Sequence, residues 1–490
     1  MNHTLHALAD LLKGVAVLQS RGDLRDTQVQ SISFDSRNIQ PSSVFFALRG
    51  HTCDGHDYIT EAVARGSTAV VCERLPRNLP SDIPYVVVSN SAVALGTAAA
   101  NFYRHPSTQL KLVAVTGTNG KTSTVQLLAH TFRQLGERVG VLSTIGNWIH
   151  DVHIPATFTT PDVIQTNRLL AQMVSAGCAY GFMEASSQAI CQQRMAGLHL
   201  AGAVFSNITH EHLDYHGTFQ RYMDTKKSLF DRLPAQAFAV FNADDKHGAY
   251  MIQNCGARRY SFALKKSADF QAKRLTSTLT STTLQVENQQ VECQLGGTFN
   301  AYNLLATYAT ACLLEQDPHR VLVALSGLKS IPGRLQYVST HGDFEAIVDY
   351  AHTPDAVRHV LKSVRNVVHK PRKIIAVLGC GGNRDKAKRP LMGRLAAGLS
   401  DHAIFTADNP RYECLEAILQ DMCGVLTQAE RKRVLLIQDR TEAIYRACSL
   451  ASKGDVVLVM GKGHETYQEV RGIRMPHDDT AVLRRFIKPT

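Results

Sequence analysis

Short apolar runs recur along the chain, and many of them end in a polar or glycine-rich turn. The clearest run covers residues 112–115, and the turn 116–122 follows it. Apolar positions at helical spacing come next, at Val125, Leu128, Phe132 and Leu135. This order of strand, turn and helix repeats downstream, which is typical of a parallel α/β sheet.

Two interruptions of this pattern predict domain boundaries, one near Tyr103–Pro106 and one in the segment 330–334, which contains Pro332 and Gly333. A chain of 490 residues also suits about three domains. We therefore predict an α/β protein with an N-terminal α/β substrate domain (1–104), a central P-loop parallel-sheet ATPase domain (105–334) and a C-terminal Rossmann-like α/β domain (335–490). The Thr-rich, alternating segment 275–297 predicts antiparallel strands appended to the central sheet.

Composition narrows the class of protein. The 53 Lys and Arg residues exceed the 42 Asp and Glu residues, giving a net charge of +11. Such an excess suits a nucleic-acid binder or an enzyme with phosphorylated or acidic substrates.

No apolar stretch approaches the ~20 residues of a membrane span, and the N-terminal MNHTLHALADLLKG lacks the apolar core of a signal peptide. The 11 cysteines include no CxxC pair. We expect a reduced, cytoplasmic protein that does not enter a membrane.

The sharpest local motif is VAVTGTNGKT at 113–122. A buried strand followed by a glycine turn and a helix is the context of a phosphate-binding P-loop. Lys121 would reach the terminal phosphates, and the Thr122 hydroxyl would bind Mg²⁺. Only two residues separate Gly117 from Gly120, which departs from the usual GxxxxGK[ST] spacing. The predicted ATP contacts here are Gly117, Thr118, Asn119, Gly120, Lys121 and Thr122.

Two further residues bear on the metal. Glu184 follows an apolar segment, and an acidic residue at a strand end of a P-loop protein commonly supports Mg²⁺. His212 is either a ligand or a surface histidine. On residue type alone, Lys226 and Lys227 are typical of solvated charges.

The C-terminal third contains four short apolar strands that each run into a polar loop, at 380–385, 408–411, 440–442 and 462–465. Ligands of open α/β sheets bind outside the carboxyl ends of the strands. These loops therefore predict a ligand crevice.

An ordered set of motifs resembles the ATP-dependent Mur ligase family. The resemblance begins with DSRNIQPSSVFFALRGHTCDGHDYI (35–59), which is similar to the family's UDP-binding segment. It continues through VTGTNGKT, TTPD (159–162), MEASS (183–187), HLDYHGTF (212–219), FNAYNLLA (299–306), PGR (332–334), VDYAHTPD (348–355), GGNRDKAKRPLMG (381–393), DNPR (408–411) and GKGHE (461–465).

This resemblance implies amide formation through an acyl phosphate. A substrate carboxylate would attack the γ-phosphate of ATP, and an amine would then displace phosphate. Lys121, His212 and Lys226 would be the catalytic residues. Thr122, Glu184, His212 and a carbamylated Lys226 would be the Mg²⁺ ligands. The implied partners are ATP, UDP-N-acetylmuramoyl-L-alanyl-D-glutamate and meso-2,6-diaminopimelate, bound by a monomer.

The substrate contacts also follow from the resemblance. The UDP-sugar-peptide contacts would be Phe34, Ser36, His51, Thr52, Cys53, Thr159, Thr160, Ser186, Gln192 and Arg194. Further ATP contacts would be Asn300, Asn303, Arg334 and Asp349. The diaminopimelate contacts would be Arg384, Asp408, Asn409, Pro410, Arg411, Gly461 and Glu465.

The DNPR loop favours diaminopimelate over lysine. Arg411 can pair with the distal carboxylate of diaminopimelate, and Glu465 can accept its distal ammonium. Lysine has no distal carboxylate and would leave this arginine unpaired, at a penalty of ~1–3 kcal/mol. A lysine-adding homologue is therefore the alternative to test.

Two other functions remain alternatives. A folylpolyglutamate-type ligase has a similar phosphate turn, but the DSR and DNPR segments disfavour it. A P-loop NTPase that binds nucleic acid would use the positive charge, but the chain has no recognised nucleic-acid module. Departures from the family pattern at Glu211, Gln188, Ser42–Ser43 and Cys414–Leu415 bear on local geometry rather than on the reaction.

Overall fold

The structure is a computed structural model that describes residues 5–50, 53–78, 82–328, 330–338 and 344–487. His51 and Thr52, two of the expected UDP contacts, lie outside the described residues. Three main sheets follow one another along the chain, and helices pack against them. The α/β class is therefore confirmed. None of the helices in the described ranges is long and apolar enough to span a membrane.

The N-terminal segment folds around a five-stranded sheet of order β2-β7-β6-β5-β4 and a two-stranded pair, β1-β3. Its elements are β1 His6–Ala7, α1 Leu8–Leu11, β2 Val17–Arg21, β3 Gln28–Val29, β4 Ser31–Ser33, β5 Ser43–Phe46, α2 Ile59–Ala64, β6 Ser67–Cys72, β7 Tyr85–Val88 and α3 Ser91–Phe102. Strands β4 to β7 run parallel, and β2 is antiparallel to β7. Asn90 caps the N-terminus of helix α3, and its side chain accepts a hydrogen bond from the Val93 N–H.

The central segment contains an eleven-stranded sheet of order β11-β10-β9-β12-β8-β13-β14-β15-β16-β17-β18. Its elements are β8 Lys111–Thr116, α4 Lys121–Gln134, β9 Val139–Ser143, β10 Gly146–Ile149, β11 Val152–Ile154, α5 Val163–Ser175, β12 Tyr180–Glu184, α6 Ser187–Cys191, β13 Gly202–Phe205, α7 Leu213–His216, α8 Phe219–Asp231, β14 Phe238–Asn242, α9 Gly248–Met251, β15 Arg258–Ala263, β16 Phe270–Ser277, β17 Thr282–Val286, β18 Gln289–Cys293, α10 Thr298–Leu313 and α11 Pro318–Ser326.

Strand β8 lies in the middle of this sheet, between the parallel strands β12 and β13. Val113 and Val115 face the core formed with α4 and α10, whereas Leu112 and Ala114 face the core formed with α5 and α8. Burial on both faces explains the continuous apolar run of this strand. The carboxyl end of β8 is therefore held rigidly from every side.

The appended strands are present, since β16, β17 and β18 pair antiparallel at the edge of the central sheet. The first of them begins at Phe270, five residues before the Thr-rich segment from which antiparallel strands were predicted. Exposed positions of this strand carry charged residues such as Lys273 and Arg274. Its first residues therefore do not show the alternation that predicts a strand.

The C-terminal segment has a six-stranded sheet of order β19-β20-β24-β21-β22-β23 and a hairpin, β25-β26. Its elements are β19 Gln336–Val338, β20 Glu345–Asp349, α12 Pro354–Arg365, β21 Ile374–Cys380, α13 Lys388–Leu399, β22 His402–Ala407, α14 Leu415–Cys423, α15 Gln428–Arg431, β23 Val434–Leu436, α16 Arg440–Leu450, β24 Val456–Met460, β25 Tyr467–Val470, β26 Ile473–Pro476 and α17 Asp479–Ile487.

Strands β20, β24, β21, β22 and β23 of this sheet are parallel. Strand β21 lies between β24 and β22, so the loops that follow these three strands leave the same edge of the sheet side by side. The polar loops therefore lie together at the carboxyl edge of this sheet, as predicted, and their use as a ligand crevice stays a prediction.

A buried ion pair holds two of these strand ends together. The Arg440 guanidinium donates to both carboxylate oxygens of Asp479, at 2.7 Å each, and neither side chain is exposed. Its remaining N–H groups donate to the carbonyls of Ala407 at 3.2 Å and Met460 at 3.0 Å, the last residues of β22 and β24. The pair therefore fixes the points at which the loops 408–411 and 461–465 begin.

We expect Asp479→Asn to lower the free energy of unfolding by about 3–5 kcal/mol, because it leaves a buried guanidinium without its counter-charge. Urea denaturation at neutral pH measures this loss. Asp82→Asn is the matched control, since the pair that Asp82 forms with Arg21 at 3.9 Å is exposed. Equal stability of the two variants would contradict the role of the pair.

The same pair has a defined pH dependence. Burial alone would raise the pKa of Asp479, but Arg440 and His477 hold that pKa well below its usual value. The stabilisation is therefore complete above the unfolded pKa of about 3.9 and is lost as the pH falls through the folded value. Acid titration of the unfolding free energy should show this loss in the wild type and not in Asp479→Asn.

Candidate active site

The loop between β8 and α4 has the form of a phosphate-binding turn. Gly117 and Gly120 have φ values of 152° and 88°, and Gly120 is the residue before the first turn of α4. Asn207, which follows β13, holds the loop from the side: its carbonyl accepts from the Thr118 N–H at 2.8 Å, and its side-chain oxygen accepts from the Asn119 N–H at 3.0 Å.

Lys121 is the cation of this loop. Its Nζ donates to the carbonyls of Gly117 and Thr118, both at 2.8 Å. Burial lowers the pKa of Lys121, the carboxylates of Glu211 and Glu184 favour its charged form, and Arg334 opposes it. The loop thus contains a desolvated cation that a phosphate group would stabilise.

Arg334 reaches the same loop from the segment between the central and C-terminal sheets. Its Nη2 donates to the Thr122 hydroxyl at 3.0 Å, and its guanidinium lies 4.6 Å from the centre of the Tyr350 ring. Asp349 is the last residue of β20, and its carboxylate accepts from the Leu335 and Ala351 N–H groups at 2.7 and 2.8 Å. Burial raises the pKa of Asp349, although Arg334 and these N–H groups act in the opposite direction.

Glu184 ends β12, next to β8, where it is 1% exposed. Its carboxylate accepts from the Thr144 N–H at 2.7 Å and from the Thr144 hydroxyl at 3.2 Å. Its backbone carbonyl accepts from the Thr160 hydroxyl at 2.7 Å. These bonds hold an acidic group beside the P-loop, as its place at a strand end predicted.

His212 and Lys226 lie on the other side of the loop. Nζ of Lys226 is buried and donates to the Gly117 carbonyl at 2.9 Å. Burial and the nearby Lys121 lower the pKa of Lys226 well below its usual value, although Glu211 opposes the shift. Burial also lowers the pKa of His212, whose Nε2 lies 3.8 Å from the Glu211 carboxylate. Lys226 is therefore not the solvated charge that its residue type alone suggested.

The structure shows the contacts or backbone conformation of three residues that depart from the family pattern. Glu211, beside His212, also acts electrostatically on Lys121 and Lys226. Gln188 accepts a hydrogen bond from Ser187 at 3.3 Å and lines a cavity beside the P-loop. Ser42 has a φ of 61°, a left-handed conformation that glycine adopts more easily.

A second group of polar residues surrounds Arg194. This guanidinium donates to the Thr160 carbonyl at 3.0 Å and to the Gln192 side-chain oxygen at 2.6 Å, and it lies 5.2 Å from the Phe158 ring centre. Burial lowers the pKa of Arg194. The result is a fixed, partly buried cation that suits an anionic ligand.

One cavity of about 830 Å³ joins most of these groups. Of the expected site residues, it is lined by Thr118, Asn119, Gly120, Lys121, Thr122, Thr159, Thr160, Glu184, Ser186, Gln192, Arg194, His212, Lys226, Asn303, Arg334, Asp349 and Arg384. Phe34, Ser36 and Cys53 of the N-terminal segment do not line it, and neither does Asn300, which instead holds Asn303 through a 3.0 Å hydrogen bond.

The expected amino-acid contacts form a neighbouring cluster at the C-terminal strand ends. Asn409 is 2% exposed, and its side chain donates to Glu465 at 2.9 Å and accepts from Lys462 at 3.0 Å. Lys462 also donates to Glu465 at 3.0 Å. Nη1 of Arg411 donates to the Gly382 carbonyl at 2.8 Å. Gly461 has a φ of 111°, and a Cβ there would approach the Asp408 carboxylate at 2.8 Å.

Several residues of the site are absent from the sequence-based set. Asp355, at the start of α12, accepts from the Asn119 amide at 3.1 Å and from the Thr209 hydroxyl at 2.7 Å, and it thereby ties the C-terminal segment to the P-loop. Asn207 and Lys462 are the other two. Asp355 and Lys462 lie inside the motifs VDYAHTPD and GKGHE, which could have singled them out. Their partners Asn119 and Asn409, however, are distant in sequence.

The fold and this site define a multi-sheet α/β protein of the P-loop class. Three family models match the chain: "Mur ligase family, catalytic domain" over residues 28–103, "Mur ligase middle domain" over 115–311, and "Mur ligase, glutamate ligase domain" over 333–463. The chain belongs to the Mur ligase family.

Individual relatives cover nearly the whole chain. The UDP-N-acetylmuramoyl-L-alanyl-D-glutamate–2,6-diaminopimelate ligase of Cytophaga hutchinsonii is 49% identical over 98% of this chain and 99% of its own. The Bacteroides fragilis protein of the same name is 44% identical over 99% of both chains. A solved structure of a ligase with this name has a TM-score of 0.68 at 30% identity and covers 99% of both chains.

The folylpolyglutamate alternative also has a structural neighbour. The Mycobacterium tuberculosis folylpolyglutamate synthase has a TM-score of 0.62 at 16% identity, and the match covers 81% of this chain and 96% of that chain. An identity this low shows a shared fold and nothing about the substrate.

The turn at Gly120 leads to a prediction about stability. Alanine at Gly120 would adopt a left-handed conformation, and its Cβ would lie 2.5 Å from the Asn303 side-chain oxygen. Gly136 is the matched control, because its φ is 91° but none of the described residues lies within 4 Å of a Cβ there. We expect Gly136→Ala to lose about 1 kcal/mol of unfolding free energy through backbone strain alone. Gly120→Ala should lose on the order of 1 kcal/mol more through the displaced Asn303.

Urea denaturation of both variants measures the difference. Equal losses would show that Asn303 does not depend on the absence of a side chain at Gly120.

Proposed function

We propose that this protein is an ATP-dependent, ADP-forming acid–amino-acid ligase that adds meso-2,6-diaminopimelate to UDP-N-acetylmuramoyl-L-alanyl-D-glutamate. The observation that carries the proposal is a single cavity in which the P-loop cation Lys121, the acid Glu184 and the anion-binding Arg194 meet. Relatives at 44–49% identity over nearly the full chain carry the name of this activity. Peptidoglycan synthesis in the cytoplasm, with its effects on cell shape and division, would be its setting.

The proposed reaction has two steps. A carboxylate oxygen of the D-glutamate residue attacks the γ-phosphorus of ATP, the bond to the bridging oxygen breaks, and ADP leaves. The amine of diaminopimelate, after losing a proton, attacks the acyl carbon, and the C–O bond to the phosphoryl group breaks to release phosphate. Both partners of the first step are anions, so surrounding cations must lower the barrier.

Lys121 and Arg334 both place a cationic group at the P-loop. Because their positions are held by loop carbonyls and by Thr122, they are already arranged to stabilise charge that develops on the transferred phosphoryl group. Arg194, held by Thr160 and Gln192, would orient the peptide substrate. Asn303, behind Gly120, would support the nucleotide from the opposite face.

The donor set beside the P-loop fits Mg²⁺. Glu184 and Thr122 offer hard oxygen atoms, His212 adds one nitrogen, and Lys226 would contribute oxygen atoms as a carbamate. The described residues contain no ready cluster of three His, Cys, Asp or Glu side chains for a metal. Mg²⁺ bound here would complete its shell with phosphate oxygens and water. When bound, Mg²⁺ would neutralise phosphate charge and polarise the γ-phosphoryl group.

Carbamylation of Lys226 gives a physical reason for a lysine in this position. The buried amine lies 4.9 Å from the centre of the Tyr222 ring and close to a second cation, Lys121. Reaction of an uncharged amine with CO₂ forms an N–C bond, releases a proton and converts the side chain into an anion. An anion here would be attracted to Mg²⁺ and to Lys121, whereas an ammonium would be repelled by both.

The amino acid would be selected at the C-terminal strand ends. Arg411, aided by Arg384, would pair with the distal carboxylate, and Glu465 would accept the distal ammonium. Asp408, Asn409, Pro410 and Gly461 would shape the loop between them. Lysine would leave Arg411 without an anion, which disfavours it.

The test of this function is the dependence of phosphate release on both substrates. Protein, ATP, Mg²⁺ and the UDP-dipeptide are incubated with meso-diaminopimelate, with L-lysine or with no amino acid. We expect release that requires the UDP-dipeptide and is much faster with diaminopimelate. Release that needs neither substrate, or that needs a folate and glutamate, would contradict the proposal.

Lys226→Ala should lose activity, because it removes the anion proposed at the metal site. Added formate or acetate should restore part of the rate, whereas bicarbonate should not. Lys227→Ala is the control, since Lys227 pairs with Asp231 at 2.7 Å rather than with the P-loop. A Lys226→Ala enzyme with wild-type rates, or equal rescue of both variants by acetate, would remove Lys226 from the metal site.

A further inference from the structure

The hairpin β25-β26 is braced against the DNPR loop. Its turn is Arg471-Gly472, with φ values of 49° and 79°, and two positive values at these positions are typical of a tight two-residue hairpin. The side chain of Gln468 donates to the Asp408 carbonyl at 2.9 Å, and the N–H of Glu469 donates to the Asn409 side chain at 2.9 Å. Consecutive residues of the hairpin therefore hydrogen-bond to consecutive residues of the loop.

The backbone of Arg411 depends on this hairpin. Arg411 has a φ of 53°, a conformation that costs a non-glycine residue about 1–2 kcal/mol. Its N–H donates to the Glu469 carbonyl at 3.0 Å, and its carbonyl accepts from the Arg471 N–H at 2.7 Å. Strained conformations of this kind persist where the surrounding structure holds them. Here strand β25 supplies one of these hydrogen bonds, through Glu469, and the hairpin turn supplies the other, through Arg471.

The side chain of Arg411 is held from two sides as well. Nη1 donates to the Gly382 carbonyl at 2.8 Å, and Nε lies 3.5 Å from a carboxylate oxygen of Glu469. The two side chains are 19% and 20% exposed. Two of the three guanidinium nitrogens, Nε and Nη1, thus have protein partners, and we assign the Nη2 side of the fork to a planar anion.

Gly381 and Gly382 allow the loop after β21 to lie close to the DNPR loop. A Cβ at Gly381 would lie 3.0 Å from Nη1 of Arg411, and a Cβ at Gly382 would lie 1.8 Å from the Pro410 carbonyl. The two loops therefore fit closely only because these positions lack side chains. This close packing restricts the orientations that the Arg411 guanidinium can adopt.

We propose that Glu469 is a positioning residue that sets the direction of the Arg411 guanidinium and thereby determines specificity for an amino acid with a distal carboxylate. The proposal rests on the proposed function and deepens it. Glu469 lies on the Nε side of the fork, so it holds the guanidinium without occupying the edge that receives the ligand. A pre-organised fork loses less conformational freedom when it binds a carboxylate.

The experiment compares the steady-state kinetics of Glu469→Ala and Glu469→Gln with those of the wild type, using meso-diaminopimelate and L-lysine. Glu469→Ala should raise KM for diaminopimelate about tenfold, which corresponds to about 1.4 kcal/mol. The kcat, the KM for ATP and the slow use of lysine should not change. Glu469→Gln keeps the size and an acceptor oxygen, so its KM should rise by a smaller factor.

Two controls separate positioning from general damage. Glu292→Gln makes the same chemical change on an exposed position of β18 and should leave every constant unchanged. In an Arg411→Lys background, Glu469→Ala should have no further effect on KM for diaminopimelate, because a lysine has no fork to orient.

Each other result overturns the inference. A lower or unchanged KM for diaminopimelate would mean that Glu469 competes with the ligand or does nothing. Equal losses with both amino acids and with ATP, or additive effects with Arg411→Lys, would mean that the hairpin only stabilises the fold. A wild-type enzyme that prefers lysine would refute the proposed function itself, and the role of Glu469 with it, since no distal carboxylate would then reach Arg411.

Discussion

The partly buried ammonium of Lys121 makes the interactions on which the rest of the site depends. It closes the loop after β8 by binding the carbonyls of Gly117 and Thr118. Burial lowers the pKa of Lys121, whereas the carboxylates of Glu211 and Glu184 favour its charged form. A partly desolvated cation at the start of a helix attracts anions more strongly than a fully solvated one, because less solvent screens it. Glu184, Lys226 and Arg334 are arranged around this charge, and each acts on a different side of the loop.

The same loop connects the central and C-terminal segments of the chain. Asn119 and Thr209 donate to Asp355 of the C-terminal segment, and Thr122 accepts from Arg334. Burial alone would raise the pKa of Asp355, but hydrogen bonds from His359 and Thr209 hold that pKa below its usual value, so the carboxylate remains an anion. Chemistry that joins an ATP site to an amino-acid site requires such contacts, since the two sites must meet around one acyl phosphate.

Sequence reasoning predicted the parts of the fold and site that local pattern determines. The strand, turn and helix at the P-loop, the acid at the end of β12 and the polar C-terminal strand ends all follow from periodicity over a few residues. The domain boundaries and the roles of the site residues stay predictions. Long-range pairs were not accessible: no spacing shows that Arg440 meets Asp479, or that Glu469 meets Arg411. Lys226 is the clearest case, since only the fold shows it to be buried.

The central claim is that the γ-phosphoryl group passes to a substrate carboxylate, and an isotope measurement tests it most directly. The glutamyl carboxylate of the UDP-dipeptide is labelled with ¹⁸O, and the phosphate released in the complete reaction is analysed by mass spectrometry. The account predicts one ¹⁸O atom in each released phosphate, because the attacking carboxylate oxygen leaves with the phosphoryl group. Unlabelled phosphate, or label found in AMP, would contradict it.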